Sequence, residues 1–247
     1  MSEPVLVAAA SNHRRSNSAA IGRYLADALV TAGVRAQILD VAESGGLQDD
    51  FRPAVEALTG HGHVVLVASL YHDAINAVAA ATLEAWADAA RGDLPRLFSA
   101  IVHSGYPEPV HTEVALAICR KFASDVGWGW RGGLTVGATS AIGGNDLQAA
   151  GPPARHLRRA LDLTAAAFAR GEPVPEAAVR TATRAAMPRW LYIAVGNWMM
   201  RREARRLGTV DLDRRPYARE ADVGGTCLPA RPTPGAGQDP RGQKSGS

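Results

Sequence analysis

Short apolar runs alternate with helical patterns along the first two thirds of the chain. The apolar runs predict five buried β-strands, at residues 4–10, 35–41, 63–69, 97–103 and 133–138. Apolar residues at helical spacing predict helices at residues 16–32, 49–58 and 153–170. Two further helices are indicated by Ile75, Val78, Ala79, Leu83 and Trp86, and by Val114, Ala117, Ile118 and Phe122. The alternation predicts an α/β protein with a doubly wound, five-stranded parallel sheet.

The pattern changes after Gly171. A short helix is predicted at residues 176–186 and a longer one at residues 187–208, closed by Arg201, Arg202, Arg205 and Arg206. We expect the apolar face of the longer helix to pack on the domain or on a second subunit; it is formed by Met187, Trp190, Leu191, Ala194, Val195, Trp198 and Met199. Residues 219–247 are rich in Gly and Pro and are predicted to be disordered. The predicted domains are residues 1–171, a helical extension at 172–218, and the tail.

Composition narrows the class of protein. The 247 residues are 47% hydrophobic and 21% charged, which is typical of a globular domain. Cys119 is expected in the core, and Cys227 lies in the tail. This placement predicts neither a disulfide nor a metal site. The expected compartment is therefore a reducing one. His61 and His63 lack a third ligand nearby, and we expect no metal. Without a leader pattern or a long apolar run, the expected location is the cytoplasm.

The turn after the first strand is the strongest chemical signal. Ser11-Asn-His-Arg-Arg-Ser-Asn-Ser18 places three hydroxyls, two amides and two arginines between a buried strand and a helix. The N-terminus of a helix offers free N–H groups and a positive dipole end to an anion. Neither a G-x-G-x-x-G motif nor a P-loop occurs in this turn. The turn therefore predicts a phosphate monoester site, with helix capping by Ser16 as the simpler alternative.

Two more loops follow strands at the same predicted edge of the sheet. The second is Ser69-Leu-Tyr-His-Asp-Ala-Ile75, and the third is His103-Ser-Gly-Tyr-Pro-Glu108. Each carries a tyrosine that could line one side of a flat ring, and Gly105 lets the backbone approach a ligand closely. Each could also be an ordinary turn. Together the three loops predict a phosphate cradle with a slot for a flat ring between the second and third loops.

With these loops, residues 4–170 resemble the flavodoxin-like NAD(P)H-dependent FMN reductase and quinone reductase superfamily. Its first motif is G-S-x-R-x-x-S-[NST]-[ST], its second is P-x-Y-x-x-[ST]-x-[PS], and a T-x-G-like turn follows the fourth strand. The resemblance implies a flavodoxin-like sheet and an FMN site. The implied cofactor-binding residues are Ser11, His13, Ser16, Asn17 and Ser18, then Leu70, Tyr71, His72, Asp73, Ala74 and Ile75, and finally Ser104, Gly105 and Tyr106. Ala10, His13, Asp73 and Ala74 depart from the usual motif residues.

The resemblance implies an oxidoreductase in which the flavin performs the chemistry. Hydride would pass from NADPH or NADH through flavin N5 to a quinone, a nitro or azo compound, or free flavin. No side chain is then obligatory in catalysis, and His72 and Tyr106 are the candidate contacts to the substrate. A homodimer is expected by resemblance, nucleic acid is not expected as a partner, and contact with a membrane surface is a minor alternative. A flavodoxin-type electron carrier and a flavin-free scaffold with a basic helical tail remain alternative functions.

Overall fold

The computed structural model describes residues 3–44, 51–90, 96–185 and 187–208. The main sheet contains β1 (Val5–Ala10), β2 (Ala36–Asp40), β3 (His63–Tyr71), β5 (Leu97–His103) and β6 (Gly129–Val136). They lie side by side in the order β2-β1-β3-β5-β6, and every pairing between neighbours is parallel. β4 (Ala74–Ile75) is a two-residue strand that pairs with β3 in the antiparallel direction. The five parallel strands have the flavodoxin-like order, so the predicted fold class is confirmed.

Seven α-helices connect or follow the strands in the described residues. They are α1 (Asn17–Thr31), α2 (Arg52–Glu56), α3 (Ala77–Ala89), α4 (Glu113–Asp125), α5 (Arg155–Ala169), α6 (Glu176–Ala182) and α7 (Arg189–Arg206). α1 begins at the cap provided by Ser16 and is followed by Gly33, whose φ of +83° suits glycine. None of the described helices combines the length and the apolar character needed to cross a bilayer.

The two faces of the sheet carry separate hydrophobic cores because successive strand residues point in opposite directions. Val5, Val7 and Val65 face the core built with α1 and α5. Leu6, Val64 and Leu66 face the core built with α3 and α4. Cys119 lies fully buried in the second core, as expected, and burial raises the pKa of its thiol to about 12. With helices on both faces, the polar loops at the strand ends are left at the edges of the sheet.

Several predicted boundaries were wrong. β6 begins at Gly129 rather than residue 133, since a shift of register between Phe98 and Ala100 lets a glycine-rich stretch pair with β5. The third helix begins at Ala77, and Ile75 lies instead in β4. Of the four residues that indicated the fourth helix, Phe122 is buried, together with Ala115 and Cys119, whereas Val114, Ala117 and Ile118 are exposed. The predicted helix start at residue 49 lies outside the described residues, as do residue 186 and the tail.

Two compact units divide the chain, Met1–Gly196 and Asn197–Ser247. α6 belongs to the first unit, where Ala178 and Ala182 lie in the same core as α1 and α5. The predicted domain boundary at Gly171 stays a prediction. α7 contains no buried residue in the single chain, and packing of its apolar face on the domain or on a second subunit stays a prediction.

Gly133 offers a direct test of the β5–β6 geometry. A Cβ at this position would lie 2.5 Å from the carbonyl oxygen of Ala100 and 2.5 Å from Cδ1 of Leu116. We expect Gly133→Ala to lower the free energy of unfolding by about 3 kcal/mol because the backbone contact cannot relax by a rotamer change. Gly196→Ala is the matched control: its added Cβ meets nothing within 4 Å, and denaturant unfolding should show no loss of stability. Equal stability of the two variants would contradict the close approach.

Candidate functional site

A cavity of about 300 Å³ opens at the carboxyl edge of the sheet. Its walls come from the turn after β1, from the ends of β3 and β5, and from the segment after β6. The lining residues are Ser11, Asn12, His13, Arg15, Ser16, Asn17, Ser18, Ser69, His103, Gly143 and Gly144. Strand ends that are distant in sequence thus meet in one place, as expected of a parallel α/β sheet.

The first turn of α1 forms one wall of this cavity. Ser16 has an extended backbone and caps the helix, its Oγ accepting a hydrogen bond of 3.1 Å from the backbone N–H of Ala19. The N–H groups of Asn17 and Ser18 belong to the same turn and have no acceptor within the helix. Together with the positive end of the helix dipole, they favour an anion at this end of the cavity.

Side-chain hydrogen bonds hold this turn against the segment after β6. Asn17 Nδ2 donates to the carbonyl of Thr139 over 2.8 Å, and Gly144 N–H donates to Asn17 Oδ1 over 2.7 Å. An Arg15 guanidinium nitrogen donates to Asn145 Oδ1 over 2.6 Å. The amide of Asn17 is therefore engaged in positioning the loop. The hydroxyls of Ser11 and Ser16 can still donate to a ligand.

His103 connects the turn to the opposite wall through a buried chain of hydrogen bonds. Thr139 Oγ1 donates to the carbonyl of Ser104 over 2.8 Å, so it accepts from His103 Nδ1, which lies 3.2 Å away. The other ring nitrogen, Nε2, then accepts from the hydroxyl of Ser18 over 2.9 Å. Burial lowers the pKa of His103 to about 4, so the ring is neutral at neutral pH. The hydroxyl of Ser18 is thus engaged with His103. Its backbone N–H is the Ser18 group that remains available to an anion.

The second predicted loop is a tight β-hairpin rather than an open loop. β3 continues to Tyr71 and the chain reverses at His72 and Asp73, whose φ angles are +47° and +58°. Positive φ at both central positions is the geometry of a type I′ turn, which favours Asn-Gly. His72 and Asp73 therefore adopt a strained backbone conformation. Tyr71 is 67% exposed. Asn76 fixes the base of the hairpin, since its Nδ2 donates to the carbonyls of Ala10 and Ser69.

The second and third loops meet through His111. Its Nδ1 lies 3.2 Å from Asp73 Oδ1, and its ring packs on Tyr106 with 4.9 Å between centroids. Tyr106 itself is half exposed, and its carbonyl accepts a hydrogen bond of 2.6 Å from Ala138 N–H. The two tyrosine-bearing loops therefore stand side by side, with an Asp–His pair between them.

The structure brings together only part of the predicted site. Five predicted residues line the cavity: Ser11, His13, Ser16, Asn17 and Ser18. The lining does not include Leu70, Tyr71, His72, Asp73, Ala74, Ile75, Ser104, Gly105 or Tyr106. Ile75 instead lines an apolar groove between α3 and α4. The predicted substrate contacts, His72 and Tyr106, lie on exposed parts of their loops and stay predictions.

Six lining residues are not among the cofactor-binding residues that the resemblance implies, namely Asn12, Arg15, Ser69, His103, Gly143 and Gly144. Asn12 and Arg15 lie within the predicted phosphate turn, and Ser69 and His103 begin the second and third loops. The signal for Ser69 and His103 was their position, because both lie where a parallel strand reaches the predicted edge. Gly143 and Gly144 gave no such signal. Both glycines have positive φ angles, and the backbone of their segment lies close to Arg15. A Cβ placed on Gly144 would lie 3.1 Å from the carbonyl oxygen of Arg15.

The histidines near β3 are structural. His63 begins β3 at the opposite edge of the sheet, where its Nε2 lies 3.0 Å from Ser99 Oγ. Burial, and secondarily the charge of Arg131, lowers its pKa to about 4. His61 lies outside the strand, and its Nδ1 is 2.9 Å from the carbonyl of Ala57. Within the described ranges, no group of three or more His, Cys, Asp or Glu side chains is placed to hold a metal ion.

The sheet defines a flavodoxin-like α/β fold, and a polar cavity lies at its strand ends. Neither a family model nor a curated protein matches the sequence. Among solved structures, the chain is similar to an NADH:FMN oxidoreductase in its apo form (15% identity, 76% of this chain and 97% of that chain, TM-score 0.48). It is also similar to a flavone reductase (9%, 85% and 93%, 0.49) and to a WrbA-like flavodoxin protein from Agrobacterium tumefaciens (13%, 69% and 97%, 0.44).

The fold assignment itself rests on the strand order of the sheet.

Proposed function

We propose that this protein is an FMN-dependent oxidoreductase that takes its electrons from NADH or NADPH. The observation that carries the proposal is the cavity at the start of α1, where a helix N-terminus, two serine hydroxyls and the side chain of Arg15 meet the ends of β3 and β5. These groups fit a phosphate monoester, since backbone N–H groups and hydroxyls are its usual donors. The cavity volume of about 300 Å³ suits the phosphate end of a small ligand.

The residues around the cavity would bind and orient the cofactor. Ser11 and Ser16 would donate hydroxyl hydrogen bonds to the phosphate, beside the N–H groups of Asn17 and Ser18. His103 would hold Ser18 in place without bringing a charge, because its ring is neutral. FMN, when bound, would supply hydride transfer at N5 between the nicotinamide and an acceptor such as a quinone, a nitro or azo compound, or free flavin.

The exposed loops would then provide the substrate side of the site. Tyr71 and Tyr106 both present their rings to solvent and belong to loops that follow neighbouring strands. An aromatic side chain in such a position can stack on a flat acceptor or nicotinamide ring. We retain His72 and Tyr106 as the proposed substrate contacts.

The test is an equilibrium titration of the purified protein with FMN, followed by anaerobic addition of NADH and NADPH. We expect one FMN to bind per chain and its visible absorbance to bleach with at least one nicotinamide, then to return when a quinone is added. Failure to bind FMN would overturn the proposal. Bound FMN that neither nicotinamide reduces would instead indicate an electron carrier. Gel filtration of the same sample tests the proposed homodimer.

A further inference from the structure

α7 exposes large apolar side chains along its whole length. In the unit that ends at Gly196, Trp190 is 71% exposed, and Ile193 and Val195 are also exposed. In the unit that begins at Asn197, Trp198 is 60% and Met200 is 71% exposed, and Met199 and Leu207 add to them. Single exposed apolar residues are ordinary, but a whole helix of them marks an interaction surface.

The charge of α7 indicates the chemistry of its partner. The helix contains five arginines and one glutamate, a net charge of +4, and four of the arginines follow the apolar stretch directly. Arg202 also lies over the ring of Trp198, 5.6 Å from its centroid. A second copy of this helix would bring like charges together, whereas an anionic surface would complement them. Tryptophan next to arginine is the composition of segments that lie at the boundary between lipid headgroups and acyl chains.

The length of the apolar stretch favours lying on a bilayer over crossing it. From Trp190 to Met200 it would span about 16 Å as a helix, roughly half of the hydrocarbon thickness. We propose that α7 binds the surface of an anionic phospholipid bilayer, with Trp190 and Trp198 entering the headgroup boundary and Arg201, Arg202, Arg205 and Arg206 contacting lipid phosphates. This proposal does not depend on the proposed redox function.

Within the first unit, the beginning of α7 is attached to the third loop of the candidate site. Tyr192 Oη donates to the carbonyl of Gly105 over 2.5 Å, and Arg189 Nε lies 2.8 Å from Glu108 Oε1. Trp190 and Ile193 therefore project from a helical turn that is held beside the loop bearing Tyr106. Binding of this turn to a bilayer would bring that loop to the membrane surface.

The test uses the full chain with vesicles of phosphatidylcholine alone or mixed with phosphatidylglycerol. We expect co-sedimentation with the mixed vesicles, weakened by added salt. The tryptophan emission should shift to the blue, since Trp190 and Trp198 are exposed while Trp86 and Trp128 are already buried. A variant with Arg201, Arg202, Arg205 and Arg206 all changed to Gln should bind the mixed vesicles at least about 100-fold more weakly.

The matched control changes four exposed arginines elsewhere, Arg35, Arg120, Arg155 and Arg159, to Gln. It lowers the net charge equally and should retain vesicle binding. A Trp190→Ser, Trp198→Ser variant keeps the charge and should lose both the blue shift and most of the binding. Thermal unfolding should be unchanged in all three variants, because none removes a buried side chain.

Three results would overturn the proposal. One is a wild-type protein that binds neither type of vesicle. Another is equal loss of binding by both arginine variants, which would indicate attraction of the whole basic protein. The third is self-association on gel filtration that disappears in the double tryptophan variant, together with tryptophan emission that vesicles leave unchanged, which would identify a second copy as the occupant.

Discussion

Ser16→Asp is expected to weaken FMN binding by at least about 100-fold and to leave the fold intact. Aspartate caps helices as well as serine does, so the hydrogen bond to Ala19 N–H and the start of α1 are preserved. The carboxylate would, however, lie beside the proposed phosphate position and replace a hydroxyl donor. Repulsion between like charges within a few ångströms amounts to about 3 kcal/mol at the dielectric of a protein surface, which corresponds to that loss of affinity.

Riboflavin and Ser16→Thr provide the controls for this experiment. Riboflavin lacks the phosphate, so its affinity should be low in the wild-type protein and should change little in Ser16→Asp. Ser16→Thr keeps both the cap and the hydroxyl, and FMN affinity measured by fluorescence quenching should stay within a few-fold of wild type. If Ser16→Asp bound FMN as tightly as the wild-type protein, the phosphate could not lie at the start of α1.

Acidification is expected to destabilise the protein strongly. The pKa values of His63 and His103 are lowered to about 4, in both cases mainly by burial, against 6.5 for an unperturbed histidine. Below pH 6.5 the unfolded chain therefore binds more protons than the folded protein, and each histidine removes about 1.4 kcal/mol per pH unit from the free energy of unfolding. From pH 7.5 to pH 5, the two together should remove about 4 kcal/mol, and the loss should level off below pH 4.

Urea unfolding of ligand-free protein at several pH values measures this effect. His63→Gln and His103→Gln should each remove about half of the pH dependence between pH 6.5 and pH 5, whatever they cost at pH 7.5. His72→Asn is the control, because His72 is exposed and asparagine tolerates its left-handed backbone. Asp40 acts in the opposite direction, since burial raises the pKa of its carboxyl group. Retention of the full pH dependence in both glutamine variants would contradict the assignment to these histidines.

The elements of the sheet were predictable because each has a local cause. The valines and leucine of β3 alternate between two cores, and the strand was predicted with the correct first residue, His63. The helix capped by Ser16 was predicted with its N-cap in the right place, because a cap depends on neighbours within three residues. The convergence of Ser11–Ser18 with other strand ends followed from the parallel topology.

The sequence misled where the decisive contacts were distant. The two central turn residues, His72 and Asp73, are neither glycine nor asparagine, so the sequence does not indicate a type I′ turn. The antiparallel pairing of Leu70 with Ile75 nevertheless imposes one. The early start of β6 depends on a register shift against β5. Asn17 belongs to the predicted phosphate motif, but its side chain forms hydrogen bonds with the backbone of Thr139 and Gly144. Both partners lie more than a hundred residues away along the chain.

By itself, the sequence determined the doubly wound sheet and the polar, helix-capping turn after β1, since hydrophobic period and helix capping are set by nearby residues. The tertiary structure alone decided which polar groups remain available at that turn. It directs the Ser18 hydroxyl to a neutral His103 and places Gly144 against Arg15. Hydrogen-bond partners and burial depend on residues brought together from separate strands, and no local pattern in the chain encodes them.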